Sequence, residues 1–350
     1  MDKREDTEKV ESKPVKKKMS DLDSFKTMKK MLQSANSIAI TMHIRPDGDC
    51  LGTAAALRLA LLRMKKQVEV FMDGEIPQNL LYIEGVDAFR NVNDLNDESK
   101  QYCEFDLLVI VDTADKHRLG GAEFLIEKSK KVIVFDHHLN PTLKPDLMVS
   151  NPTRASCGEM MFEFLAATKI NITRPMASAL YTAVSSDTGC FLFPNTTSYT
   201  HHVASELMKK GIDITTINYN NFRVYDPKTL RGLQDVLRKI YFVADGTIAI
   251  TNLSYKLVKK YKFDHDERHR FQRYASDAQG VKVSIFLTEQ ERDNFNISLR
   301  SHGDINVAKI AKHFGGGGHK NAAGLTMKGR YKDIIKQIIE KVEKTIKAVK

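Results

Sequence analysis

The stretch SIAITMHIRPDGD, residues 37–49, decides how this chain folds. Its first six residues read as a buried strand, and beyond the stretch Ala54, Leu57, Leu61 and Met64 recur at helical spacing. Pro46 and Gly48 keep strand and helix from running into each other. One turn therefore presents His43, Asp47 and Asp49 together. The pattern recurs in QVEVFM (67–72), FDLLVIVD (105–112) and KVIVFD (131–136), short β-branched runs separated by helical or polar segments. Such alternation predicts an α/β fold with a parallel sheet flanked by helices.

Open α/β sheets place ligand sites just beyond the carboxyl ends of their strands, and here those ends carry acids and imidazoles. Asp112 closes the third run, and Asp136, His137 and His138 close the fourth. Asp187, in SSDTG, follows a mainly apolar helical segment, where an isolated carboxylate is costly to bury unless it is paired or metal-bound. Any one Asp at such a position is ordinarily a helix cap or turn residue. Four acid-bearing loops recurring after the right elements are not explained that way. The donors are oxygen and nitrogen without thiolate, which suits Mn²⁺, Mg²⁺ or Fe²⁺, manganese first, better than a structural zinc. So many donors predict two divalent ions about 3.5–4 Å apart, the arrangement of a phosphoryl-transfer centre. Cys50, Cys103, Cys157 and Cys190 show no paired spacing and read as ordinary reduced thiols.

The chain has 350 residues, 42% of them hydrophobic, enough for two packed cores. Residues 1–20 are charged in both signs without an apolar stretch and read as a disordered tail, not a secretory signal. Residues 21–221 form the first expected domain. Apolar periodicity lapses over 218–227 (NYNNFRVYDP), which reads as a linker, and 228–350 form a smaller second domain with strands expected near 246–251, 281–287 and 296–300. At its end Ile334, Ile335, Ile338, Ile339, Val342 and Ile346 line one helical stripe, read as core. No run approaches the length of a membrane span, so a cytoplasmic protein is expected. Lys and Arg outnumber Asp and Glu by 54 to 44, and the net charge of +10 favours a polyanionic ligand.

The second motif lies late in the chain: Arg300 and Ser301 close a strand, a short amphipathic helix follows, and then FGGGGHKNAAG (314–324). Glycines such as Gly316, Gly317 and Gly318 let backbone N–H groups approach an anion, and Arg300 and His319 add directional donors to phosphate. The position of the loop inside a domain argues against a flexible linker.

Together HIRPDGD, VDT, FDHH and SSDTG, followed by LRS and GGGGHKNAAG, closely resemble the DHH phosphoesterases that carry the DHH-associated C-terminal domain, over most of the chain. Within that family the length and the glycine-rich ending are most similar to the bacterial oligoribonuclease and pAp-phosphatase branch. The resemblance implies a parallel-sheet DHH domain, a smaller C-terminal α/β substrate-binding domain and an active site in the cleft between them. It implies that His43 and Asp47 bind one metal, that Asp49, His137 and Asp187 bind the other, and that Asp112 bridges both. It further implies that His138 stands beside the scissile phosphate, that Asp136 orients His137, and that Arg300, Ser301 and His319 hold the substrate.

The expected activity is release of 5′-mononucleotides from very short RNA and dephosphorylation of 3′-phosphoadenosine 5′-phosphate, by a monomer or a homodimer. Neighbouring branches offer alternatives: a linear or cyclic dinucleotide phosphodiesterase, a RecJ-like single-strand exonuclease, which normally needs a longer chain, or a pyrophosphatase, which does not need the glycine-rich loop. From another class, a catalytically silent nucleotide-binding regulator is disfavoured by the full ligand set.

Overall fold

Near-continuous burial along the central strands shows why this chain forms a parallel sheet covered on both sides. In β1 (Ser37–Thr41), β4 (Leu107–Val111) and β5 (Val132–Asp136) almost every residue is buried. Ile38, Ile40, Val109, Val111, Ile133 and Phe135 enter one core, while Ala39, Leu108, Ile110 and Val134 enter the other. The computed structural model describes residues 21–101, 103–139, 141–225, 227–263 and 265–349, with backbone alone over 265–270. The tail expected over 1–20 lies outside the described residues.

The remaining elements of this N-terminal unit are α1 (Asp21–Ser34), α2 (Gly48–Arg63), β2 (Gln67–Met72), β3 (Arg90–Asn91), α3 (Asp97–Gln101), β6 (Leu147–Ser150), α4 (Cys157–Ala167), α5 (Arg174–Asp187), α6 (Ser198–Met208) and α7 (Ile214–Phe222). The sheet order is β3-β2-β1-β4-β5-β6, parallel throughout. The outermost strands, β3 and β6, are two and four residues long, too short for a periodicity to register in the sequence.

Small residues bring three helices together at the strand ends. A Cβ on Gly52 of α2 would overlap the carbonyl oxygen of Ala179 in α5, one on Gly48 would meet Ser186, and one on Gly158 of α4 would meet Ala183. The close approach places Asp49, the start of α4 and Asp187 in one neighbourhood. Gly52→Ala is accordingly expected to destabilise the protein by about 1–3 kcal/mol through overpacking and to lower turnover. A denaturation midpoint equal to wild type would show that the helices accommodate the methyl group.

Chain contacts divide the molecule into Met1–Val224 and Tyr225–Lys350. Residues 218–222, expected in a linker, instead complete α7. Asp213 caps this helix, and Ile217 and Asn221 are buried, Asn221 accepting a hydrogen bond from Tyr82 at 2.8 Å. A polar residue anchors the helix there, so apolar periodicity does not reveal it.

The C-terminal unit contains α8 (Pro227–Leu237), β7 (Tyr241–Val243), β8 (Ile248–Leu253), α9 (Tyr255–Tyr261), α10 (His265–Ser276), β9 (Val283–Glu291), β10 (Asn294–Ser301), α11 (Val307–His313), β11 (Gly317–His319), β12 (Ala322–Lys328) and α12 (Tyr331–Ala348). Its sheet order is β11-β12-β10-β9-β8-β7, with only β8 and β9 parallel. Ile285, Ile297 and Leu299 pack with Ile334, Ile338 and Val342 of α12 in one core. Among the described residues no helix is long and apolar enough to cross a membrane.

Candidate active site

Backbone partners aim His43, Asp47, Asp49 and His137. His43 follows β1, and its Nδ1 lies 2.8 Å from the carbonyl oxygen of Ile44. Donation there turns Nε2 toward the site, 3.3 Å from Asp112 Oδ2 and 3.6 Å from Asp47 Oδ2. Asp47 is the N-cap of α2: its Oδ1 accepts from the N–H groups of Asp49 and Cys50, leaving Oδ2 for the site. Asp49, fully buried one residue into α2, accepts from the N–H groups of Cys157 and Gly158 at 2.7 and 2.8 Å. Its carboxyl group therefore sits at the positive N-terminus of α4.

Asp112 lies just beyond β4 with φ of 60°, a left-handed conformation that Asp tolerates better than most residues. It stands between the two halves of the cluster. Its Oδ1 is 3.5 Å from His137 Nε2 and 3.7 Å from His138 Nδ1, while its Oδ2 faces His43. His137 Nε2 is also 3.3 Å from Asp187 Oδ2, at the last residue of α5, and 3.8 Å from Asp49 Oδ2. All six residues expected as metal ligands are thus brought together from β1, α2, β4, β5 and α5.

The position of Asp136 differs from the expectation. Its Oδ1 lies 2.7 Å from Nδ1 of His138, and His137 is oriented instead by the Arg154 carbonyl oxygen, 3.2 Å from its Nδ1. The backbone N–H of His138 also turns back to Asp136, which brings the second imidazole rather than the first over the carboxylate. The hydrogen bond to Asp136 raises the pKa of His138. Burial pushes Asp136 upward, but the His138 partnership outweighs it and holds the carboxyl below its usual value.

Two observations show that these residues fit divalent metal. Asp112 Oδ1 and His137 Nε2 are buried without a hydrogen-bond partner, an arrangement that is costly unless a further group satisfies them. Burial and the neighbouring Asp112 charge also raise the carboxyl pKa values of both Asp49 and Asp187. A dication relieves that repulsion. Two sulfurs lie beside this oxygen and nitrogen donor set. Cys50 shares a ligand-distance group with His43, Asp47 and Asp112, and Cys157 shares one with Asp49 and Asp112. The signal for Cys50 was its position one helical turn after Asp47, on the same face of α2.

In the C-terminal unit, register places Arg300, Ala322 and His319 abreast on β10, β12 and β11. Directly paired residues point to one face of a sheet, so the guanidinium and imidazole share a face. Arg300 is half-buried, and desolvation lowers its pKa; among the described residues no carboxylate pairs with it. Ser301 is used differently: its hydroxyl donates to the Ile305 carbonyl oxygen at 2.7 Å and accepts from Asn321. That proton is unavailable to a phosphate oxygen. The glycine-rich segment is a hairpin edge rather than an open loop. A Cβ at Gly316 would overlap the carbonyl oxygen of Gly324, and one at Gly318 would strike Ala322 and Ala323, so these two glycines serve strand pairing. A Cβ at Gly317 would meet nothing within 4 Å.

With the geometry in place, the relatives are informative. Residues 37–184 match the DHH family, N-terminal domain, and residues 254–348 match the DHHA1 domain. The bifunctional oligoribonuclease and PAP phosphatase NrnA of Mycoplasma pneumoniae is 30% identical over 329 residues, covering 90% of this chain and 94% of the relative. The chain belongs to the DHH family. As a DHH phosphoesterase it is a hydrolase acting on phosphoester bonds. The protein of the same description from Thermus thermophilus is 28% identical over 83% of this chain and 84% of its own length. Among solved structures, an exopolyphosphatase-related protein from Bacteroides fragilis superposes with a TM-score of 0.84 at 25% identity, covering 92% of this chain and 96% of that one. The acids and imidazoles described above fall inside the DHH-matched segment except Asp187, which lies just past it, and Arg300 and His319 fall inside the DHHA1-matched segment.

Proposed function

We propose that this DHH-family enzyme is a manganese-dependent phosphodiesterase that releases 5′-mononucleotides from very short RNA and also dephosphorylates 3′-phosphoadenosine 5′-phosphate, acting in the cytoplasm. The observation that carries the reading is the convergence of His43, Asp47, Asp49, Asp112, His137 and Asp187 around the unpartnered Asp112 Oδ1 and His137 Nε2. It occurs in a chain similar along nearly its whole length to relatives described as bifunctional oligoribonucleases and PAP phosphatases.

In this reading His43 and Asp47 hold one ion, Asp49, His137 and Asp187 hold the second, and Asp112 serves both. Bound there, the two ions supply Lewis-acid polarisation of the phosphoryl group and stabilise the charge of an in-line displacement. The chain's own groups do the rest. His138, held by Asp136 and partly exposed, offers an imidazolium to the phosphate or to the departing oxygen. Arg300 supplies a cation and His319 an imidazole on the same sheet face for nucleotide phosphates, with Gly317 leaving backbone accessible beside them. Ser301 positions this strand end through its bond to Ile305.

The test is hydrolysis of an end-labelled series of RNA lengths, with 3′-phosphoadenosine 5′-phosphate, cyclic dinucleotides and single-stranded DNA alongside, with chelator or manganese. Mononucleotide release mainly from the shortest RNAs, lost in chelator and restored by manganese, is the expected result. A preference for long DNA or cyclic dinucleotides moves the enzyme to a neighbouring branch. Nucleotide binding without turnover identifies a silent binding module.

A further inference from the structure

Cys50 lies one helical turn after Asp47 and is fully buried. Its sulfur accepts the Asp47 N–H at 3.2 Å and donates to the Asp47 carbonyl oxygen at 3.5 Å, closing the capping box of α2. That local role requires no sulfur, since a hydroxyl is the stronger donor and acceptor. What sulfur alone contributes is a soft donor within ligand range. Cys50 Sγ, an imidazole nitrogen of His43 and carboxylate oxygens of Asp47 and Asp112 all lie within 4.8 Å of one another. Asp112 reaches this cluster through Oδ2, 3.3 Å from His43 Nε2, while its buried, unpartnered Oδ1 faces His137 and His138 on the other side. His43 Nδ1 faces the Ile44 carbonyl oxygen, so Nε2 is the atom it offers.

We propose that Cys50 is a thiolate ligand of the His43, Asp47 and Asp112 subsite, making it the softer of two metal positions and biasing it toward Zn²⁺, Co²⁺ or Cd²⁺ relative to Mn²⁺. The inference rests on the divalent-centre reading above. As the metal–sulfur bond forms, the S–H proton leaves to solvent, and the fourth donor of the subsite becomes anionic. The group of Asp49, His137 and Asp187 contains no thiol, so the two subsites differ in the property that separates soft from hard cations. Cys157 is the natural control. It approaches Asp49 and Asp112 without an imidazole in its group, and its sulfur points to the Phe135 carbonyl oxygen at 3.6 Å.

The experiment titrates the metal-free full chain with Co²⁺ and follows both the visible d–d bands and the near-ultraviolet sulfur-to-cobalt charge-transfer band. Wild type and Cys157→Ser are expected to show both. Cys50→Ser, which keeps the capping geometry, is expected to retain the d–d bands and lose the charge-transfer band. It should also bind Cd²⁺ roughly tenfold or more weakly while its Mn²⁺ affinity changes little. The d–d bands without charge transfer in wild type, or charge transfer surviving in Cys50→Ser, overturn the thiolate and leave the divalent centre standing. Absence of any cobalt binding removes both.

Discussion

Asp112→Asn is expected to cut turnover by roughly a thousandfold or more while leaving the metal-free protein at least as stable as wild type. The loss follows from the position of the residue, whose Oδ2 faces His43 and whose Oδ1 faces His137, so that one carboxylate serves both halves of the centre. Withdrawing several kcal/mol of stabilisation of transition-state charge corresponds to about three powers of ten in rate. The retained stability has two causes. Asn is close to Asp in size and tolerates the left-handed φ of 60° at this position, and the change removes one carboxyl group from a cluster in which burial first, and then repulsion from Asp112, raise the Asp49 pKa.

The sign of the pH dependence follows from Asp49. A carboxyl raised above its unfolded value retains a proton in the folded state that the unfolded state has released. Stability of the metal-free wild type therefore falls as pH rises from the ordinary carboxylate value through the raised one. Asp112→Asn should flatten that decline. Thermal melts of the two proteins across this range, with and without manganese, provide the check. Wild type should gain about 2.7 kcal/mol at a hundredfold excess of manganese over its dissociation constant, and the variant much less. Near-normal turnover in the variant would remove Asp112 from the centre.

Asp49→Ala is expected to abolish turnover as well, but with the opposite effect on stability, a loss of about 2–4 kcal/mol in the metal-free protein. Here the carboxylate has a second occupation, accepting the N–H groups of Cys157 and Gly158 where α4 begins. Alanine leaves two buried donors without an acceptor and opens a void beneath the sheet edge. Relief of charge repulsion offsets only part of that cost. Chemical denaturation without metal separates the two cases, because Asp112→Asn and Asp49→Ala should move the midpoint in different directions. A midpoint for Asp49→Ala equal to wild type would show that water or a neighbouring group replaces the lost acceptor.

The strand-end groups were legible because parallel topology sends the carboxyl ends of β1, β4 and β5 to one edge, so acids far apart in sequence share a neighbourhood. Hydrophobic runs locate those ends well. They do not say which partner a side chain selects once there. Asp136 is adjacent to His137 yet bonds His138, because the direction of the turn after β5 decides the pairing. Ser301 reads as a phosphate donor, but a turn carbonyl claims its proton. Gly316 and Gly318 read as anion contacts, and the need for close strand pairing accounts for them instead. The place of Cys50 is set by its spacing to Asp47 on the same helix, which comparing cysteines with one another does not register.

The glycines joining α2 and α4 to α5 carry an evolutionary consequence. The separation of Asp49 from Asp187 is set by how closely helical backbones can approach, not by the length or composition of any connecting loop. Loop insertions and surface drift can therefore accumulate without retuning the centre, whereas single-methyl additions at Gly48, Gly52 or Gly158 cannot. The residues that hold this spacing, Gly48, Gly52 and Gly158, bear no functional group themselves.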